Sequence, residues 1–533
     1  MINWWEDKRT CALMREYVFR NQLVGPTDAD IISDPEARRI LFDFHDRLYK
    51  QKDSSPSYVV GRRGSGKTAY LSYIEGFGKY DICINIDKWK VFKEVVEISS
   101  QGGGTVFVEE MDDYWDSVLF TIILSELRRR YPRLISRDQF LENYFGELGV
   151  ERANSATSFL TRLIRRLNGR YASGSSGGML SALFGELFNE FDEPGRELRQ
   201  RVESLCRDNE IRVVILIDSL ESYKVDDERV SDGIKGFLKS VGKFNTRRNR
   251  PEVRCCIPSE LYYNFLALST NAGKDFNPPL FLHWKSSEIL SVVAHRMCIH
   301  MRLYNDGSSV RNKELLGLNL DSRQGLQRFF EKVFPEMVTN ETGDLERPEI
   351  FILRHTQMLP RQALKIFHSV IRENYSETGE YAYIQPRHVL DGTYKIVNEL
   401  ATSVCTAFRA SYPGAWKVCR DVVPRLGYTF KLDELEVIYR RHLRGRPGIS
   451  EKVTELDFAR MLIELGCIGV QQNVSDRYQV AQFEYNSRGE LMPRGTDTLC
   501  VHPMFRGPNG DRKSDEALKS VYPVGVDPYE DFS

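Results

Sequence analysis

Gly61-Arg62-Arg63-Gly64-Ser65-Gly66-Lys67-Thr68 decides the fold of this 533-residue chain. The stretch has the spacing of a phosphate-cradling loop: a glycine, four residues, then Gly-Lys-Thr. An apolar run, Tyr58-Val59-Val60, enters it and a helical pattern leaves it, so strand, tight turn and helix N-terminus follow one another. Glycines let the backbone turn sharply and approach a polyanion closely. Consecutive N–H groups and the positive end of the helix then face the phosphates. Gly61, Arg62, Arg63, Gly64, Ser65, Gly66, Lys67 and Thr68 are therefore the candidate nucleotide contacts. Lys67 is expected to reach the β- and γ-phosphates and to act in catalysis, and the Thr68 hydroxyl to ligate Mg2+. ATP and Mg2+ are the cofactors this chemistry predicts.

The other half of such a site is a carboxylate at the tip of a buried strand. Ile211-Arg212-Val213-Val214-Ile215-Leu216-Ile217-Asp218 supplies it, making Asp218 a candidate catalytic residue and the second magnesium ligand. Glu221, three residues on, is the candidate for orienting the attacking water. Strand patterns at Asp81–Asp87, Val253–Ile257 and Leu280–Trp284 alternate with helical ones such as Met111–Arg130. That alternation predicts a doubly wound α/β fold, a parallel-sheet P-loop NTPase; the helices that follow it, then helices with a hairpin, extend the expectation to a helical lid and a C-terminal winged helix.

The expected domains are an N-terminal helical segment over 1–56, with Ile40, Leu41, Phe44 and Leu48 on one face, and an NTPase core over 57–285. The core carries a helical insertion at 131–208, interrupted by the flexible composition of ASGSSGG at 172–178. A helical lid follows over 286–413, its first helix capped by Ser286 or Ser287. The winged-helix domain and tail occupy 414–533. Helices at Leu432–Leu443 and Glu451–Leu465 are expected to precede a hairpin of Tyr478–Tyr485 and Thr498–His502, joined through NSRGELMPRG.

Composition bounds the partners. Hydrophobic residues at 41% and charged residues at 28% are the balance of a soluble globular protein. Lys+Arg 74 against Asp+Glu 75 gives a net charge of -1, which disfavours a general polyanion binder. The ten cysteines show no CxxC pair and no metal spacing, and runs such as DICINI and VRCCI place them as small buried hydrophobes in a reducing compartment. The N-terminus MINWWEDKRT lacks the apolar core of a signal peptide, and Val118–Leu124 and Val213–Ile217 are too short to span a bilayer. The expectation is a cytoplasmic protein with no membrane partner.

Asp218-Ser219-Leu220-Glu221 resembles the acidic strand end of the STAND branch of P-loop NTPases, where a small residue follows the Asp. Typical AAA+ enzymes place Asp and Glu side by side instead. Ser222 stands where the STAND form carries a further acid, and slow hydrolysis is expected. Other segments resemble STAND and origin-recognition ATPases. Ser259, in Cys256-Ile257-Pro258-Ser259-Glu260-Leu261, stands where these families place a γ-phosphate sensor. Trp284-Lys285-Ser286-Ser287-Glu288-Ile289-Leu290 resembles their strand-to-lid junction. Leu359-Pro360-Arg361 opens a lid helix as the family's sensor-two arginine does, implying that Arg361 touches the γ-phosphate. In STAND switches the winged domain folds back so that a histidine contacts phosphate, and His502 occupies a similar place. The resemblance implies a switch between ATP and ADP states that forms a homo-oligomer and engages a separate effector or sensor protein, plausibly in antiviral defence.

Two other readings stand beside the switch: a DNA-associated AAA+-like loader or transposition-type regulator, and a catalytically silent nucleotide-binding scaffold. Against nucleic acid, Glu451, Glu455, Asp457 and Glu464 outnumber Lys452 and Arg460 on the helix that would enter a groove. His295, Cys298 and His300 are close in sequence, but 295 and 300 point to different sides of a helix, which argues against a metal site. Arg440, Arg441, Arg444 and Arg446 fit a solvated helix end, and Arg247, Arg248 and Arg250 a surface loop.

Overall fold

The computed structural model describes residues 4–42, 56–77, 80–86, 108–148, 194–218, 236–242, 244, 251–268, 279–304, 310–379, 381, 383–409, 411–427, 429–444, 454–475, 478–487, 490–506 and 519–530. Glu221, Phe44, Leu48, Arg247, Arg248, Arg250, Arg446, Glu451, Lys452 and the 172–178 stretch lie outside them. The chain divides into two units, one made of Asp46–Gly61 and Lys67–Leu282, the other of Met1–His45, Arg62–Gly66 and His283–Ser533.

The first unit is built on a parallel sheet. Its strands are β1 (Tyr58–Gly61), β2 (Ile82–Ile86), β3 (Val213–Ile217), β4 (Glu252–Pro258) and β5 (Leu280–Phe281), in the order β2-β3-β4-β1-β5. Every pairing is parallel, with Val60 opposite Ile257 and Ile217 opposite Cys255. Successive side chains alternate between faces. Tyr58, Val60, Val213, Ile215, Ile217, Cys255 and Ile257 pack with Leu119, Ile123 and Leu127 of the helix Val108–Arg130. Val59, Val214, Leu216 and Cys256 pack instead with Tyr70, Leu71 and Ile74 of the helix Lys67–Phe77. Both faces are therefore covered, which is why β3 is apolar at every position. Each such Val, Leu or Ile contributes roughly 1.5–3 kcal/mol by leaving water. The last strand is shorter than its sequence pattern, ending at Phe281.

Among the described residues between Ser286 and Ala407 the second unit is mainly helical, and it carries a hairpin that the sequence pattern does not announce. Strands β6 (Val338–Thr339) and β7 (Leu345–Glu346) pair antiparallel around a turn in which Asn340 Oδ1 accepts from the N–H groups of Thr342 and Asp344. The helix Ser286–Tyr304 starts one residue earlier than a serine cap requires. Both serines sit inside its first turn, and the Lys285 N–H is taken by Glu288 Oε2 at 3.0 Å. The N-terminal helices Lys8–Tyr17 and Pro35–Phe42 enclose a small core of Met14, Ile32, Ile40 and Leu41 with Ile299 and Leu303.

The C-terminal part holds a second sheet, β8 (Thr429–Phe430), β9 (Ile468–Val474), β10 (Tyr478–Gln482), β11 (Leu499–Val501) and β12 (Ser520–Pro523), ordered β12-β10-β9-β11-β8. The expected hairpin of the 478 and 498 segments is a correction: β9 lies between them and forms the hairpin with β10. The helices Leu432–His442 and Glu455–Glu464 precede it close to the expected bounds.

Candidate functional site

Gly64 and Gly66 hold φ of 93° and 97°, backbone that other residues rarely adopt, and this is what bends the loop after β1. The Ser65 N–H closes the turn on the Arg62 carbonyl at 3.0 Å. A side chain at Gly64 would put its Cβ 3.1 Å from Arg361 Cβ. The loop is further tied by Trp284, whose indole Nε1 donates to the Ser65 carbonyl at 2.7 Å.

Lys67 opens the helix Lys67–Phe77 and is buried, its Nζ donating to the Gly61 carbonyl at 2.8 Å. That contact closes the first and seventh loop residues onto each other. Thr68 Oγ1 donates to Asp218 Oδ2 at 2.8 Å although the residues are 150 apart in sequence. Asp218 directly follows β3, and β4 separates β3 from β1. Parallel strands bring the ends of β1 and β3 to the same edge, where helix start and carboxylate meet. Cys256, on the intervening β4, has its thiol pushed well up by burial and by the Asp218 charge, so it stays a neutral filler.

The donor set fits the group the motif implies. Thr68 and Asp218 offer the hard oxygens that Mg2+ takes. The helix N-terminus at Lys67 adds a favourable field for phosphate.

Other expected contacts are arranged differently. Arg62 turns its guanidinium to Gln357 Oε1 at 3.0 Å and to the Glu464 carbonyl at 2.7 Å. Its side chain is held by these helix-end acceptors, which leaves its backbone N–H as the part of Arg62 that belongs to the loop. Arg63 is exposed. Arg361 packs against Gly64 and forms an ion pair with Asp28 at 2.8 Å, so the loop has an arginine beside it and a carboxylate holding that arginine. His502 is wholly buried. Tyr485 hydroxyl meets its Nε2 at 2.8 Å and the Met504 N–H donates to Nδ1 at 3.1 Å, and both ring nitrogens are engaged inside the core. Burial pushes its pKa down to about 3, so the ring is neutral and offers no charge to a phosphate. Ser259 begins the helix after β4 with its hydroxyl 3.4 Å from Glu260 Oε2. Glu221 lies outside the described residues.

Asp28, Trp284 and Gln357 were not singled out as loop partners by sequence. Trp284 stands in the junction motif, but nothing in the local pattern around Asp28 or Gln357 announces its partner. Among the described residues no His, Cys, Asp or Glu group could hold a metal ion as a cluster of three. His300 Nε2 meets the Arg20 carbonyl at 2.9 Å, and His295 Nε2 lies 3.9 Å from Asp321. On the acidic C-terminal helix, Glu455 pairs with Arg440 at 3.0 Å and Glu464 with Arg460 at 2.7 Å. Asp457 caps the helix, accepting the Thr454 N–H at 2.8 Å. None of the described helices is long and apolar enough to cross a membrane.

No protein-family model and no curated protein matches the chain. Among solved structures, it is similar to a Walker-type ATPase of Pyrococcus abyssi at 12% identity, over 80% of this chain and 94% of that one, with a TM-score of 0.33.

Proposed function

We propose that the chain binds ATP with Mg2+ at Gly61–Thr68 and hydrolyses it slowly. The observation that carries this reading is the 2.8 Å hydrogen bond between Thr68 Oγ1 and Asp218 Oδ2, directly after a loop turned by two left-handed glycines. Thr68 and Asp218 would hold the magnesium, which supplies charge neutralisation on the phosphates. Lys67, released from the Gly61 carbonyl, binds the β- and γ-phosphates. The backbone N–H groups of the loop orient the triphosphate. Arg361, which packs beside Gly64, is the proposed γ-phosphate cation once it leaves Asp28, and its closeness to the loop supports that role. Glu221 is the proposed water-positioning base.

At the level of the cell, the proposal is a STAND-like switch that changes its homo-oligomer or its hold on a separate effector or sensor protein between ATP and ADP, in a setting such as antiviral defence. The support is the Asp-Ser-Leu-Glu form of the acidic strand end at 218–221 and a C-terminal helix-and-sheet unit consistent with a winged helix. Free cysteines throughout fit a reducing cytoplasmic compartment. The involvement of the acidic helix in its own ion pairs and cap gives no support to nucleic acid as partner.

The test is nucleotide binding by calorimetry. Lys67→Ala removes the charge-assisted phosphate contacts and is expected to weaken ATP by roughly 1.5–3 kcal/mol, about ten- to a hundred-fold. Asp218→Ala is expected to remove the dependence of ATP affinity on Mg2+. Unchanged affinity in Lys67→Ala would overturn the reading.

A further inference from the structure

Arg62 belongs to the phosphate loop, yet its side chain is built into the end of a distant helix. Nη2 donates to the Glu464 carbonyl at 2.7 Å, and Nη1 to Gln357 Oε1 at 3.0 Å and the Leu465 carbonyl at 3.4 Å. The guanidinium carbon lies 5.5 Å from the Phe408 ring centre and 5.7 Å from that of Tyr485.

The acceptors are there because of how the helix Glu455–Glu464 stops. Cys467 N–H bonds back to the Leu462 carbonyl at 2.9 Å and Gly466 N–H to the Ile463 carbonyl at 2.7 Å. This is the closing pattern that needs a left-handed residue, supplied by Gly466 at φ 67°. It satisfies the carbonyls of 462 and 463 and leaves those of 464 and 465 pointing outward at the negative end of the helix dipole. Gln357 Nε2 takes the Leu465 carbonyl at 2.7 Å and turns its own oxygen to Arg62. Two carbonyls, an amide oxygen and two aromatic faces make a receptor shaped for a planar cation.

We propose that Arg62 is a positioning residue that couples the phosphate loop to the end of the helix Glu455–Glu464, so that nucleotide occupancy and the seating of that helix end are linked. The proposal rests on the nucleotide reading of the loop. Phosphate binds the backbone of residues 62–66, and any adjustment there moves the root of the Arg62 side chain. The far end is fixed by three acceptors, so the movement is transmitted to the cap at Gly466. Linkage makes the coupling reciprocal: seating the helix end favours one state of the loop by the same factor.

The experiment is amide hydrogen exchange at Gly466, Cys467 and Ile468 in the full chain, nucleotide-free and saturated with ATP and Mg2+, with saturation checked for each variant. In the parent, exchange at these amides is expected to change on the order of ten-fold upon saturation. Arg62→Ala and, separately, Gln357→Ala are expected to abolish most of that change, while exchange in the helix Pro386–Ala407 stays as in the parent and shows that the variants are folded. Arg62→Lys, with one point charge in place of a fork, is expected to recover less than half of it. An ATP response at 466–468 that is absent in the parent, or that persists at full size in both alanine variants, overturns the proposal. Failure of the parent to bind ATP overturns the nucleotide reading itself, and the coupling with it, before any variant is compared.

Discussion

At the scale of single residues, the site is legible where its chemistry is local. Gly64, Gly66, Lys67 and Thr68 announce themselves by spacing, and Asp218 by its place at the end of an apolar strand. What each side chain touches is less legible. The Arg62 acceptors lie 295 and 402 residues away, and no local pattern marks them. Asp28 is hidden for the same reason: an acid in a polar loop has no signature of the arginine it meets. Gly64 gives a prediction at this scale. An alanine there must adopt φ near 93° and place its Cβ 3.1 Å from Arg361 Cβ, which belongs to a helix start and has little room to retreat. The left-handed backbone alone costs about 1–2 kcal/mol. Gly64→Ala is therefore expected to lower ATP affinity by about ten-fold or more as the loop flattens. Gly343, at φ 86° with no heavy atom within 4 Å of its Cβ position, is the control. Gly343→Ala should carry similar backbone strain and leave ATP affinity unchanged. Equal affinities in the two variants would show that the close approach to Arg361 is not what the loop requires.

At the scale of elements, long periodic segments were legible and short or half-buried ones were not. The helix Val108–Arg130 and strand β3 follow from their apolar patterns because each buries a full face or both faces. Strand β9 escaped because its burial runs in two halves, Ile468 to Val470 inside and Gln472 to Val474 exposed, which is neither alternation nor a continuous apolar run. The hairpin of β6 and β7 has two residues per strand, too few for any period. Helix packing gives a second prediction. Gly392 lies within the helix Pro386–Ala407, where a glycine lowers helix stability, and the reason is contact with the helix Pro360–Thr378. A Cβ at 392 would come 2.4 Å from Val370 Cα and 2.6 Å from its backbone nitrogen. Backbone cannot swing aside as a side chain can, so the better helix former is the worse residue here. Gly392→Ala is expected to destabilise the unit by roughly 1–3 kcal/mol, read as a lower urea midpoint. A midpoint equal to or above that of the parent would mean the two helices can separate without loss.

At the scale of the whole molecule, acid should unfold the helical unit through histidines as well as carboxylates. Four histidines are buried there among the described residues: His300, His355, His388 and His502. Burial pushes three of these rings below the ordinary value of 6.5, His300 to about 4 and His355 and His502 to about 3. The groups facing them do not reverse this. His355 has the Arg354 guanidinium disfavouring its charge and Glu341 favouring it, and His502 feels Arg354, Arg62 and His355 itself. His300 faces the Arg20 carbonyl and the Arg20 charge. Each folded ring is neutral, and each unfolded ring binds a proton near pH 6.5. Between that value and the folded pKa the unfolded chain holds more protons, so stability must fall as pH falls. The loss sets in as pH approaches 6.5, and below it each ring adds up to about 1.4 kcal/mol per pH unit until its folded pKa is reached. Urea midpoints at pH 7.5, 6.5, 5.5 and 4.5 should therefore drop little over the first step and steeply over the next two. Substituting His300, which lies apart from the other pair, with Gln should shallow the drop between pH 6.5 and 4.5 whatever it does to the midpoint at pH 7.5. A slope unchanged in His300→Gln, or a parent midpoint that is flat from pH 7.5 to 4.5, would mean that these rings already carry protons in the folded protein and that the neutral, enclosed cores around them are wrongly assigned.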